Sequence, residues 1–229
     1  MDTAQAAAAG IDVGLRNYML RVYNYMCIGL ALTGAVAFAA STSPELMNLF
    51  HGTALRWVVM LAPLGFVLFL SARLHAMQAS TAQVMFWVYA ALMGLSLSYI
   101  FLAFTGESIV RVFFITSAAF AGLSLYGYTT KKDLSGFGTF LIMGLIGIII
   151  ASVVNIFLAS TGLHFVISIL GVLIFAGLTA YDTQRIKAIY AETDHAEVQE
   201  KKAIMGALTL YLDFINMFIM MLQLFGNRE

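Results

Sequence analysis

The chain has 229 residues, of which 61% are hydrophobic and only 10% charged. Soluble domains carry about 25% charged residues, so the composition excludes an ordinary soluble domain and predicts an integral membrane protein. The formal net charge is zero, which argues against nucleic acid as a partner. There are 2 prolines, and the apolar runs repeat at about 20 residues, the length of a bilayer-crossing helix, so the expected class is all-α rather than a barrel of short alternating strands.

Residues 1–24 form the expected N-terminal cytoplasmic segment, with an alanine run at Ala6–Ala9 and two arginines, Arg16 and Arg21. A disordered start followed by a short interfacial helix is expected there. The first apolar run covers 25–41. Ala37-Phe38-Ala39 resembles a leader-cleavage site, but the apolar region is too extended for a leader and a retained helix is expected. Cys27, the single cysteine, lies in this run and is expected to be a small core residue. The second run covers 54–74 and ends at Arg73 and His75. The third covers 82–105 and the fourth 109–129. After the loop TTKKDLSGFG come the fifth, 138–158, and the sixth, 164–184. The seventh is 203–225. Seven spans over 25–226 make one expected membrane domain with nothing soluble appended.

The charges orient these spans. With the N-terminus cytoplasmic, that side holds Arg16, Arg21, Arg73, Lys131, Lys132, Arg185, Lys187, Lys201 and Lys202, and the other holds Arg56, Arg111 and Arg228. Nine against three is a positive-inside bias, and it puts the C-terminus outside. Small residues recur at spacing four: Gly94/Ser98, Ala118/Gly122, Gly147/Ala151 and Ala176/Ala180. Such pairs let helix backbones approach closely in lipid.

Two acids stand out. Asp213 lies about ten residues into the seventh run, roughly 15 Å deep at ~1.5 Å per residue. Asp182, in GLTAYDTQRIK, lies one turn before Arg185 and Lys187, about 5 to 8 Å inside the same end. An ionised carboxylate facing lipid is costly, so each must face protein, water, a proton or a cation. Thr209, Asp213 and Asn216 share one helical face, as do Thr179 and Asp182. Two carboxyls within hydrogen-bonding reach cannot both ionise cheaply, so they share a proton and titrate as a unit. Fully ionised, the pair repels itself unless a cation fills the gap. The alternative is that each acid is satisfied separately by threonine, asparagine or tyrosine. Arg73 either pairs with Asp213 or snorkels to headgroups. Asn155, in the fifth run, is expected to join helices.

At these residues the sequence resembles the Bax inhibitor (transmembrane BAX inhibitor motif) family, most closely its bacterial branch. The segments that carry the resemblance are SLYGYTTKKDLSGFG, ASVVNIFL, GLTAYDTQRIK and GALTLYLDFINMFIMMLQLFG. The resemblance implies an all-α integral membrane protein of seven transmembrane helices, the last central and surrounded by two three-helix layers. It also implies a pH-sensitive calcium leak channel of the bacterial inner membrane, with no cofactor and calcium as the transported ion. Asp182 and Asp213 would then be the pH sensor, the gate and the calcium-binding acids, with Arg73 as latch and Thr179, Thr209, Asn216 and Asn155 as supporting polar groups. One departure is that Phe50 to Ala72 holds no acid, where a relative carries one midway along its second helix, so the outer part of a calcium path is unassigned.

Two other classes are weighed. A non-transporting regulator would bind other membrane proteins, such as a quality-control protease or a cell-death protein. An intramembrane aspartyl protease also places Tyr-Asp on its sixth helix, matching Tyr181-Asp182. Its second motif is Gly-x-Gly-Asp, however, and Asp213 follows Leu210-Tyr211-Leu212, so a non-enzyme is expected. A retinal protein is excluded because 203–225 holds no lysine. The expected partners are membrane lipid, calcium and other membrane proteins.

Overall fold

A computed structural model describes residues 12–228, and the expected disordered start lies largely outside them. The described residues form helices α1 (Val13–Ser41), α2 (Pro44–His51), α3 (Leu55–Arg73), α4 (Ala79–Leu97), α5 (Ile100–Ala103), α6 (Gly106–Thr129), α7 (Ser135–Leu158), α8 (Thr161–Ala188) and α9 (Ala196–Phe225). No strand occurs among them. Seven helical stretches are long and apolar enough to cross a membrane: α1, α3, α4 with α5, α6, α7, α8 and α9.

Several ends differ from the apolar runs. α1 begins at Val13, with the Asp12 side chain accepting from the Leu15 amide at 2.8 Å. It runs unbroken for 29 residues, because Arg16 and Arg21 interrupt the hydropathy without interrupting the backbone bonds. In place of a separate interfacial helix, Tyr18, Val22 and Met26 continue one buried face into the span. Cys27 is exposed on this helix rather than in the core. The third span breaks after Leu97: the Ser98 hydroxyl donates to the Leu95 carbonyl at 2.7 Å and meets His51 Nε2 at 2.8 Å. α2 is an added helix, started by Ser43 as N-cap, Pro44 in its first turn and Glu45 near its positive end.

The chain divides into two compact units, 1–102 with 189–211 and 103–188 with 212–229. In the first, α1 packs on α4 and α3 on α4. Gly94 makes the α1–α4 approach possible, since a Cβ there would meet the Thr33 carbonyl oxygen at 2.6 Å. Thr33 bonds the Tyr211 hydroxyl at 2.6 Å, and the Tyr211 ring meets Phe86 and Tyr89 edge-on. The polar end is tied by Arg21 to Glu200 at 3.1 Å and to Gln199 at 3.2 Å, with Tyr25 also on Glu200.

In the second unit, α6 and α7 both pack on α8. The approach of α6 is set at Gly127, where a Cβ would collide with the Ala180 carbonyl group, its carbon 2.9 Å away. Gly138 of α7 lies under the Tyr181 ring, and Gly171 of α8 carries Met220 of α9. Of the expected small pairs, Gly94 and Ala180 sit in helix contacts, whereas added Cβ atoms at Gly122 and Gly147 would meet nothing within 4 Å.

Candidate functional site: a buried aspartate pair

The second unit brings Asp182 of α8 and Asp213 of α9 together. Their side chains are 8% and 4% exposed, and the two carboxyl groups are within hydrogen-bonding range of each other. Two carboxylates are acceptors only, so that contact is a hydrogen bond only when one of them holds a proton. Asp213 Oδ2 is buried and has no other hydrogen-bond partner among the described residues.

The local sequence explains the placement. Gly127 and Gly138 let α6 and α7 close on α8 at Ala180 and Tyr181, immediately before Asp182. Thr183, next in the chain, bonds Ser124 of α6 at 2.9 Å and its own Thr179 carbonyl at 2.7 Å. On α9, Phe214 follows Asp213 and packs edge-on against Phe113 and Phe120 of α6, with centroids 5.6 and 5.5 Å away. Arg185 is the cation whose charge acts on Asp182, one turn further along α8.

The expected supporting groups do not reach the acids. Thr179 donates to the Phe175 carbonyl at 2.8 Å, and Asn216 to Leu212 at 2.8 Å. In the first unit, Thr209 donates to Met205 at 3.1 Å. Each is satisfied on its own helix, four residues back. Asn155 does not join helices through this bond either: its Oδ1 accepts from the Ser160 amide at 3.0 Å. There it caps the turn in which Ala159 takes the left-handed conformation, φ 48°. Arg73 is exposed in the last turn of α3, within the first unit. The ion pairs among the described residues are Arg21–Glu200, Lys201–Glu197 and Lys202–Asp194.

Residue pattern alone missed the Ser124–Thr183 bond and the roles of Gly127 and Gly138. The glycines were visible in SLYGYTTKKDLSGFG, but no spacing rule links them to Ala180 or Tyr181.

Chemically, the pair can share one proton, or lose it and attract a cation. Among the described residues no three His, Cys, Asp or Glu side chains cluster. A calcium ion takes about six to eight oxygens, more than two carboxyl groups can provide.

Comparison with known proteins agrees with this architecture. A Rickettsia prowazekii protein, uncharacterized protein RP147, is 49% identical over 95% of this chain and 92% of its own length. A Caulobacter vibrioides protein is 47% identical over 99% and 95%. Inner membrane protein YbhL of Escherichia coli is 46% identical over 94% of both chains. The family model described as inhibitor of apoptosis-promoting Bax1 matches residues 15–229. With seven apolar spans and matches that run nearly end to end, this integral membrane protein belongs to the Bax inhibitor family.

Proposed function

We propose that the protein is a pH-sensitive calcium leak channel in which Asp182 and Asp213 are both the gate and the cation-binding acids. The observation that carries this reading is the meeting of two buried carboxyls, one with an oxygen that lacks any other partner. Holding the shared proton, the pair is a bond between α8 and α9. Without it, the two charges repel and a divalent cation is the natural counter-ion. Titration therefore changes both the helix contact and the affinity for a cation. Arg73 enters as a latch on Asp213, an assignment that rests on the family resemblance and its place at the end of the second span.

The nine-to-three charge bias supports a cytoplasmic N-terminus and an external C-terminus. The likeness to YbhL, an inner membrane protein of Escherichia coli, supports a bacterial inner membrane. A reporter fused at Arg228 that is active only in the cytoplasm would contradict this orientation.

The deciding experiment is calcium flux into liposomes holding the purified protein, followed from about pH 6 to pH 8. The parent is expected to leak calcium with a pH-dependent rate. Asp182→Asn and Asp213→Asn both flatten the curve, since each leaves one carboxyl and no coupled pair. Asp213→Asn raises the basal leak by freeing the latch, whereas Asp182→Asn lowers it. Arg73→Ala raises the leak and keeps part of the pH response. If these variants and the parent conduct alike at every pH, the acids are structural. The family description as an inhibitor of apoptosis-promoting Bax1 then favours a non-transporting regulator that binds membrane proteins.

A further inference from the structure

At one end of the second unit, α6 stops at Thr129, α7 starts at Ser135 and α8 ends at Ala188. The loop between α6 and α7 is pinned to α8 by a single side chain. Gln184 Nε2 donates to the Lys132 carbonyl at 2.8 Å, and Gln184 Oε1 accepts from the Leu134 amide at 2.9 Å. One turn on, Lys187 Nζ donates to the Tyr128 carbonyl at 2.8 Å and lies 4.9 Å above the Tyr128 ring. The loop is thus held at both of its shoulders.

What it presents is positive. Lys131, Lys132 and Arg185 are exposed, and none of them joins the ion pairs found among the described residues. The loop's one carboxylate, Asp133, is engaged locally, its Oδ1 accepting from the Ser135 amide at 2.9 Å. Directly along the same helices, Leu125 and Tyr126 of α6 and Phe137 and Phe140 of α7 are exposed apolar side chains. Free cations at the ends of spans, with apolar side chains open to lipid alongside, match the two parts of an anionic phospholipid.

We propose that the Thr130–Leu134 loop and the last turns of α8 form a binding site for an anionic phospholipid, with Lys131, Lys132 and Arg185 holding its headgroup phosphate. Gln184 is the positioning residue: it carries no charge, and it ties the backbone of the loop that bears the two lysines to the helix that bears Arg185. The inference does not rest on the channel reading: lipid binding is measured directly, and of the three cations only Arg185 also acts on Asp182.

The test uses the full chain in detergent, with lipid binding read by native mass spectrometry and thermal stability. Phosphatidylglycerol is expected to bind and stabilise in preference to phosphatidylcholine. Each cation near a membrane surface contributes about fivefold in affinity, so Lys131→Gln with Lys132→Gln weakens binding roughly 25-fold and adding Arg185→Gln roughly 100-fold. Gln184→Leu keeps every charge and is expected to weaken binding as well, with helix content by circular dichroism unchanged. Equal binding of the two lipids by the parent overturns the proposal. So does a triple variant that binds phosphatidylglycerol within about twofold of the parent. Gln184→Leu binding like the parent shows diffuse surface charge in place of a built site. Displacement of the lipid by millimolar inorganic phosphate shows a free-anion site, and either result also overturns it.

Discussion

The closest backbone approach beside the aspartate pair gives a quantitative prediction, Gly127→Ala. A methyl at Gly127 would run into the main chain of Ala180, with the carbonyl carbon 2.9 Å and Cα 3.0 Å away, and the carbonyl oxygen nearer still. No rotamer change relieves a clash with backbone, so α6 must move off α8 by about an ångström. Overpacking of this kind costs about 1 to 3 kcal/mol, and a main-chain obstacle puts it at the upper end. Replacing glycine in a helix interior returns about 0.5 to 1 kcal/mol, leaving a net loss of about 2 kcal/mol. For a chain of this size that lowers the melting temperature by about 4 to 8 °C. Gly122, on the same helix, is the control: its added methyl meets nothing within 4 Å, so Gly122→Ala should raise melting by about 1 to 4 °C. The assay is thermal unfolding of the detergent-solubilised protein by circular dichroism. If Gly127→Ala melts with or above Gly122→Ala, the close packing of α6 on α8 is wrong.

Further outcomes can be checked together. Tyr211→Phe removes the hydroxyl that meets Thr33 at 2.6 Å and should destabilise by about 1 kcal/mol in the same melt. Arg21→Glu breaks the partly exposed pair with Glu200; it should cost about 0.2 to 1 kcal/mol, and adding Glu200→Arg should restore most of it. The Asp133 carboxyl is held below the ordinary carboxylate range by the Ser135 hydroxyl and amide. The stability it contributes is therefore present at neutral pH and lost as pH falls through that lowered value, so Asp133→Asn should melt slightly below the parent at neutral pH and level with it in acid. Ala159 sits at φ 48°, and Ala159→Gly should stabilise by about 1 kcal/mol, measured as a higher melting temperature.

The spans were legible because seven runs of apolar residues carry their own message. Their ends were less so. Hydropathy loses α1 at Arg16 and Arg21, although nothing in Val13–Asn24 breaks a helix. At the break after Leu97 the partner that Ser98 meets is His51, 47 residues earlier in the chain, which no local pattern announces. By contrast, Ser43-Pro44-Glu45 is an ordinary helix start, and α2 could have been found from it. Asp182 and Asp213 announced themselves as charges in apolar runs. Their neighbours did not, since a spacing rule says which residues share a face and not what that face meets. Thr179, Thr209 and Asn216 were grouped with the acids on this basis, yet each bonds its own backbone.

That habit has a consequence for how the chain enters the membrane. Thr33, Thr116, Ser152, Ser168, Thr179, Thr183, Thr209 and Asn216 all donate to the carbonyl four residues earlier. Their spans can therefore be delivered to lipid one at a time, with these side chains already satisfied. A carboxylate has no such refuge, because the carbonyls of its own helix are acceptors too. An aspartate at the centre of an inserting helix costs about 2.5 to 3.5 kcal/mol. α9 carries one near its middle and α8 one nearer its end, and only the stretch between Ala188 and Ala196 separates the two helices. The economical course of biogenesis is thus for these two helices to insert as a hairpin, with a proton already between their acids.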